Sequence, residues 1–470
     1  MRIRFLPLIA VISALVWLAP TAARCQTDTA LKLTTSSPQA TAEFRAGIKD
    51  YENVSADAAA SHFQAAINAD PNFGLARVMY AGISGTMSPA KREAELNRGV
   101  ADAARGSTNE LLLALAYRER FLNHGQAARA LARAATQLMP SDRLLAFGTA
   151  NGADPDNPLG AIREFVSRSP DYAPGYNSLA YRLWAAGDRT GALAAAKRQV
   201  ELNPTAPNPH DTYAEILQWN GNFREATAHY KQATTLSPRF PEAYAGLAEV
   251  EALQGHYDQT GPYLNQAIAN AWTPQQKLGY MYQIAGTYAL QGSSADALTK
   301  QLDAIAAEAK ALQDAESEAI AYSMMAAVQA NAGNTAAAHK SLAMAKAVRS
   351  DEPWAARYFG VMSHALLKHW APANEELTAL KAMQSTNPAS RTYAAAAEGY
   401  LATQQGRPAD ALKILMAADT TSLLVMNRIA EAHAALGHAA EAAAWYSKIN
   451  SNYVLDLGDF TNVNSRRRAR

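Results

Sequence analysis

Two stretches of this sequence share the same pattern at a fixed distance, GDRTGALAAAKRQVELNP at 187–204 and GNFREATAHYKQATTLSP at 221–238. Each begins with glycine and ends with proline, and the second copy lies 34 residues after the first. An internal repeat of this length indicates one supersecondary unit that is stacked several times along the chain. Any function of the protein must therefore be compatible with that period.

Large and small residues, most of them apolar, recur before each repeat glycine and predict a helix with one buried face. They recur at intervals of three, four and seven residues, which places them on the same side of a helix. In three successive units these residues are Tyr176, Leu179, Ala180 and Leu183; His210, Tyr213, Ala214 and Leu217; and Tyr244, Leu247 and Ala248. Gly187, Gly221 and Gly255 then stand where a turn needs the left-handed conformation that glycine adopts cheaply. A second helix is predicted after each of these glycines.

These residues and the 34-residue period resemble the tetratricopeptide repeat (TPR) family, in which two antiparallel helices, A and B, make one unit. The resemblance covers nearly all of residues 41–450 and is strongest in the three units of 171–272. It implies an all-α fold, an α-solenoid wound as a right-handed superhelix from about ten to twelve antiparallel helix pairs. Two turn-rich stretches, 106–110 and 149–160, are predicted to be slight bends.

The chain divides into six predicted segments. They are a signal peptide (1–23), a flexible lead-in (24–40), N-terminal TPR-like repeats (41–170), regular TPR repeats (171–272), C-terminal TPR-like repeats (273–450) and an irregular basic tail (451–470). Arg2 and Arg4 precede an apolar stretch that ends in small residues up to Ala23, which is typical of a secretory signal. We therefore expect a periplasmic or secreted protein. A retained N-terminus or a lipid on Cys25 would instead tether it to a membrane.

The composition excludes several classes of function. The chain has 43 Lys and Arg residues against 42 Asp and Glu, so it lacks the positive charge typical of a nucleic-acid-binding protein. Its single cysteine, Cys25, excludes an internal disulfide. The sequence contains no phosphate-binding glycine loop, nucleophile elbow or zinc-binding helix motif. We predict no cofactor and no enzyme activity, with an active site in the irregular stretches, near 152–160 or in the C-terminal segment, as a less favoured alternative.

The histidines give no metal-binding spacing. The nearest pairs among the ten histidines are His364 with His369 and His433 with His438. Residues five apart lie on different faces of a continuous helix. We therefore predict core or surface histidines and no metal site.

In TPR proteins the concave groove is lined by helix A, on the side that faces away from helix B. The resemblance places these residues in the groove: Asn177, Tyr181 and Trp184; Asp211, Glu215 and Trp219; Ala245, Glu249 and Leu253. Tyr181, Glu215 and Glu249 hold the same place in successive units and should form a line. Such side chains suit a partner with apolar anchors and basic groups. The alternative is that Trp184 and Trp219 only pack on neighbouring helices and that the carboxylates are solvated.

The resemblance implies a non-catalytic scaffold of the cell envelope that binds a protein or peptide partner in this groove. The alternative is an accessory subunit of an envelope assembly or export machine, tethered by its N-terminus. TPR domains that hold an acidic chaperone tail use cations on helix A. This function is discounted because the equivalent positions here carry none: Asn177, Tyr181, Thr212, Glu242 and Gly246. The C-terminal arginines are predicted to be solvated, and contact with anionic lipid or a partner stays open.

Overall fold

The structure is a computed structural model. It describes residues 31, 33–85, 87–122, 124–139, 142–151, 157–348, 353–383 and 389–455. The predicted signal peptide and residues 456–470 lie outside the described residues. Within the described ranges all regular secondary structure is helical, and consecutive helices pack as antiparallel hairpins, which confirms the all-α solenoid. None of these helices has the length and apolarity to cross a bilayer.

The described residues form twelve successive helix pairs, in which odd-numbered helices are A and even-numbered helices are B. The helices are α1 (Pro38–Glu52), α2 (Ala56–Ala69), α3 (Gly74–Ile83), α4 (Pro89–Ala103), α5 (Thr108–Phe121), α6 (Gly125–Leu138), α7 (Arg143–Asn151), α8 (Pro158–Arg168), α9 (Ala173–Ala185), α10 (Arg189–Leu202), α11 (Pro207–Trp219), α12 (Phe223–Leu236), α13 (Pro241–Gln254), α14 (Tyr257–Ala269), α15 (Pro274–Gln291), α16 (Ala295–Ala311), α17 (Ala315–Asn331), α18 (Thr335–Val348), α19 (Trp354–Leu366), α20 (Trp370–Ala382), α21 (Ala389–Gln404), α22 (Pro408–Met416), α23 (Leu423–Ala435) and α24 (Ala439–Asn450).

The turn between helices A and B explains the repeat glycines. Gly187, Gly221 and Gly255 have φ values of 82°, 80° and 85°, in the left-handed region that favours glycine. The turns after α1 and α19 reach the same conformation without glycine, at Val54 and Lys368. These two turns therefore cannot be recognised by a glycine in the sequence, although the helices still form a hairpin.

The core runs between the hairpins along the whole array. The small residues Ala180, Ala214 and Ala248 have no solvent exposure, so neighbouring helices approach closely at these points. Closer still is the contact at Gly246, where an added Cβ would lie 2.3 Å from the buried Tyr230 ring. The small residues of helix A therefore set the spacing of successive units, and with it the alignment of the groove.

Units far apart in sequence also touch. The Tyr172 hydroxyl donates a hydrogen bond to Glu52. Further contacts join Asn203 to Asn53 at 2.7 Å, Arg239 to Asp57 at 3.1 Å, and the Trp272 carbonyl to the backbone at Gly85. The first two hairpins thus lie along the loops that enter four successive later units. These contacts bring successive turns of the superhelix together.

Candidate functional site

The A helices α9, α11 and α13 bring the predicted groove residues together through polar contacts between successive units. Asn177 Nδ2 donates to Thr212 Oγ1 at 2.7 Å, and the Tyr181 hydroxyl donates to Glu215 Oε2 at 2.5 Å. The same place in the next unit is held by Glu249. The predicted line of Tyr181, Glu215 and Glu249 therefore begins with a direct hydrogen bond between the first two units.

The link to the third unit uses Gln218, a residue that the sequence reasoning missed. The Tyr230 hydroxyl donates to Gln218 Oε1 at 3.0 Å, which orients the amide so that its Nε2 donates to Glu249 Oε2 at 3.1 Å. Gln218 is fully buried. It stands three residues after Glu215, a spacing that keeps both on one helix face, and this spacing is the signal that could have found it.

Three aromatic residues cluster near the C-terminal ends of α9 and α11. The Trp184 and Trp219 rings lie 5.3 Å apart between centroids, and Tyr181 lies 5.8 Å from Trp219. The Arg189 guanidinium lies over the Trp184 ring, 4.6 Å from its centroid. Both tryptophans are half-buried and pack against the apolar core. Because they pack and are also partly exposed, they can pack on neighbouring helices and still offer a surface to a partner.

Four carboxylates of α11 and α13 lie close enough to interact electrostatically, and we call them the acidic face: Asp211, Glu215, Glu242 and Glu249. Burial raises the pKa of Asp211 well above its ordinary value, and the nearby charges of the other three carboxylates raise it further. Burial also raises the pKa of Tyr181, with added contributions from Glu215 and Asp211. An ionised acidic face therefore costs free energy in the folded protein.

Glu242 is a member of the acidic face that the sequence reasoning used only to exclude an acidic partner. Gln276 Nε2 donates to its Oε1 at 2.8 Å. Its second oxygen is buried without a hydrogen-bond partner among the described residues. Burial raises the pKa of Glu242 to about 7, although the hydrogen bond from Gln276 acts in the opposite direction.

A second polar cluster, unforeseen from the sequence, lies on the A helices near the C-terminus, and we call it the Arg428 cluster: Arg428, Glu431, Tyr358 and Tyr400. Arg428 donates to Glu431 Oε2 at 2.6 Å and to the Tyr358 hydroxyl at 3.0 Å. Its guanidinium lies over the Tyr400 ring, 4.4 Å from the centroid. The Arg428 side chain is buried, and the ion pair neutralises Glu431 internally.

The prediction that paired histidines diverge was wrong for His433 and His438, whose Nδ1 atoms lie 3.5 Å apart. Helix α23 ends at Ala435, and the turn at Gly437 brings His438 back beside His433. The spacing argument assumed one continuous helix. Among the described residues, no group of three or more His, Cys, Asp or Glu side chains could hold a metal ion.

No protein-family model and no curated protein matches the chain. Among solved structures, TTC0263, a thermophilic TPR protein of Thermus thermophilus, is 24% identical over 35% of this chain and 92% of its own, with a TM-score of 0.32. A crystal structure of MamA protein is 16% identical over 35% of this chain and 91% of its own, with a TM-score of 0.28. The chain itself has a TPR-type helical repeat fold, with a 34-residue period, left-handed turn glycines and stacked hairpins.

Proposed function

We propose that this protein is a non-catalytic scaffold of the cell envelope that binds a protein or peptide partner in its groove. The observation that carries the proposal is the convergence of the acidic face with Trp184 and Trp219 on consecutive A helices. Half-buried aromatic side chains provide anchors for a partner, and charged groups beside them provide orientation and selectivity.

The electrostatics of the groove define the charge of the partner. Since Asp211 and Glu242 both have raised pKa values, a cation placed among these carboxylates recovers free energy that their ionisation costs. Lysine or arginine side chains of a peptide would supply that cation. The phosphates of a nucleic acid would meet repulsion from the same carboxylates, so we propose a protein or peptide with a basic segment.

The proposed location in the envelope depends on the N-terminal sequence, in which Arg2 and Arg4 precede an apolar stretch and small residues up to Ala23. Mass spectrometry of the N-terminus of the protein purified from its own cells tests this. A mature chain that begins directly after Ala23 supports a periplasmic or secreted protein. An intact N-terminus or a lipid on Cys25 would support the alternative of a tethered accessory subunit.

Affinity capture from cell-envelope extract tests the groove. The baits are the native chain and a Glu215→Ala, Trp219→Ala variant. The matched control is Glu441→Ala, Trp445→Ala, which removes the same residue types at the same spacing from helix α24. We expect a partner that both the native chain and the control retain and the groove variant loses.

The outcome is interpretable only if all three baits are folded. Because Trp219 packs on Tyr181 and Trp184, its removal is expected to cost about 1–3 kcal/mol of unfolding free energy, so a thermal melt accompanies the capture. Equal capture by a folded groove variant would show that the partner binds elsewhere.

A further inference from the structure

The last described residues of the chain lie against the turn between α11 and α12. After α24, the Tyr453 ring packs on Phe223, with centroids 5.3 Å apart and planes at 85°. The same ring lies against Gly221, where an added Cβ would be 2.8 Å from it. Gly221 directly follows the end of α11, which carries Asp211 and Glu215. The remaining residues, 456–470, therefore leave the described structure beside the helix that carries half of the acidic face.

The length of this segment is sufficient to reach every carboxylate of the acidic face. Asp211 lies ten residues before Gly221, which corresponds to about 15 Å along the helix. The next unit adds about 10 Å across the face. From Leu455 to Arg466 the chain has eleven residues, which can span up to about 36 Å.

The charge of the segment complements the acidic face. Residues 456–470 read DLGDFTNVNSRRRAR and end with four arginines, Arg466, Arg467, Arg468 and Arg470. The two aspartates of the segment lie at least seven residues before the first arginine. A guanidinium forms paired hydrogen bonds with a carboxylate and stacks on indole rings. The groove already shows the second contact, since Arg189 lies over Trp184.

We propose that residues 456–470 bind the acidic face of the same chain through these four arginines, and that a basic partner must displace them. This inference rests on the proposed function, because it assigns the same groove and defines the class of partner as an arginine-rich segment. Glu242 Oε2 is buried without a hydrogen-bond partner among the described residues, and an incoming guanidinium would supply one.

Tethering makes the segment a strong competitor. A short flexible connection gives an effective concentration on the order of millimolar, so even a weakly binding segment occupies its site most of the time. The native chain should therefore bind an added basic peptide about 10- to 100-fold more weakly than a chain whose arginines have been removed.

A fluorescein-labelled peptide of residues 461–470 is the probe, and fluorescence anisotropy gives its dissociation constant. The proteins are the native full chain and an arginine-free full chain with Arg466→Ser, Arg467→Ser, Arg468→Ser and Arg470→Ser. In the arginine-free background, Asp211→Asn, Glu242→Gln and Glu249→Gln together should abolish binding. The matched control in this background neutralises three exposed carboxylates elsewhere, through Glu201→Gln, Asp296→Asn and Glu441→Gln, and should bind normally.

Three results would overturn the inference. Equal affinity of the native and arginine-free chains would show that the segment does not occupy the groove. Binding that survives neutralisation of the acidic face would place the peptide elsewhere. Concentration-dependent dimers of the native chain alone, seen by sedimentation, would make a second copy the donor of the segment.

The capture experiment separates this inference from the proposed function. If the arginine-free chain ignores the peptide while the native bait still captures a partner that the Glu215/Trp219 variant loses, only the inference fails. If capture also fails to depend on those two residues, the proposed function fails as well. Circular dichroism of each variant confirms folding, which the neutralised carboxylates should favour, since their ionisation is costly in the folded state.

Discussion

The acidic face and the Arg428 cluster occupy corresponding places in two parts of the solenoid, and the second is organised around a buried arginine. Tyr181 and Glu215 stand six residues before the turn glycines of successive units, and so do Tyr400 and Glu431. In the first pair the tyrosine hydroxyl donates directly to the carboxylate. In the second, Arg428 lies over the tyrosine ring and forms an ion pair with Glu431.

This difference shows how one repeat position serves two purposes. At the Arg428 cluster, the buried Arg428 forms an ion pair with Glu431 and also contacts two tyrosines inside the protein. At the acidic face, Asp211 and Glu242 have raised pKa values, and a cation beside them would offset the free energy that their ionisation costs. The comparison therefore separates a structural cluster from a binding surface, and three stability experiments examine it.

The largest effect is expected at the Arg428 cluster. Arg428→Met removes the buried cation of the ion pair with Glu431, so the free energy of unfolding should fall by about 3–5 kcal/mol. Urea unfolding followed by circular dichroism measures it. Adding Glu431→Gln should recover much of the loss, because the charge is then gone. A loss below about 1 kcal/mol would mean that the ion pair behaves like a surface pair and that the comparison fails.

The second effect has the opposite sign and concerns Glu242. Its pKa rises from 4.5 to about 7 on folding, so its stabilising contribution is complete below pH 4.5 and is lost as the pH rises through 7. Glu242→Gln keeps the protonated shape at every pH. In the arginine-free chain it should raise the free energy of unfolding by about 1–3 kcal/mol at pH 8 and leave it unchanged near pH 4.5.

Urea unfolding at the two pH values measures this gain, with Asp296→Asn as the control for an exposed carboxylate. The gain should be smaller in the native chain, where the C-terminal arginines are proposed to neutralise the acidic face. No gain at pH 8 in the arginine-free chain would show that ionised Glu242 is not strained, and the distinction between the two clusters would weaken.

The sequence predicts the repeat well because period, turn and packing leave local signals. Gly187, Gly221 and Gly255 mark turns that need a positive φ, and small residues such as Ala214 mark close helix contacts. The signal fails at Val54 and Lys368, since the surrounding packing holds other residues in the same turn conformation. The sequence therefore predicts the helices even where the turn between them has no glycine.

The sequence predicts only part of the groove, because the properties of the groove depend on contacts between units. The line of Tyr181 and Glu215 follows from their equal places in the repeat, and the structure brings them into contact. Burial of Glu242 and the linking role of Gln218 depend on residues from neighbouring helices, such as Gln276 and Tyr230. No pattern within one unit contains that information. The contact of Tyr453 with Gly221 joins residues far apart in the chain, so a local sequence pattern cannot predict it either.

The smallest expected effect compares two turn glycines, one beside the C-terminal segment and one away from it. Gly255→Ala introduces a side chain at φ 85° with open space around it, so it should cost about 1–2 kcal/mol from backbone strain alone. Gly221→Ala has the same strain at φ 80°, and its Cβ would also lie 2.8 Å from the Tyr453 ring. We expect it to cost up to about 1 kcal/mol more, since the ring must move.

Tyr453→Ala decides whether this extra cost comes from the segment. Combined with Gly221→Ala it should remove the difference between the two glycine variants and leave the shared strain, as a double-mutant cycle by urea unfolding would show. If the difference persists without the ring, the contact between Tyr453 and α11 does not restrain the turn. The C-terminal segment would then lack its anchor beside the acidic face, and the contrast with the self-neutralised Arg428 cluster would rest on charge alone.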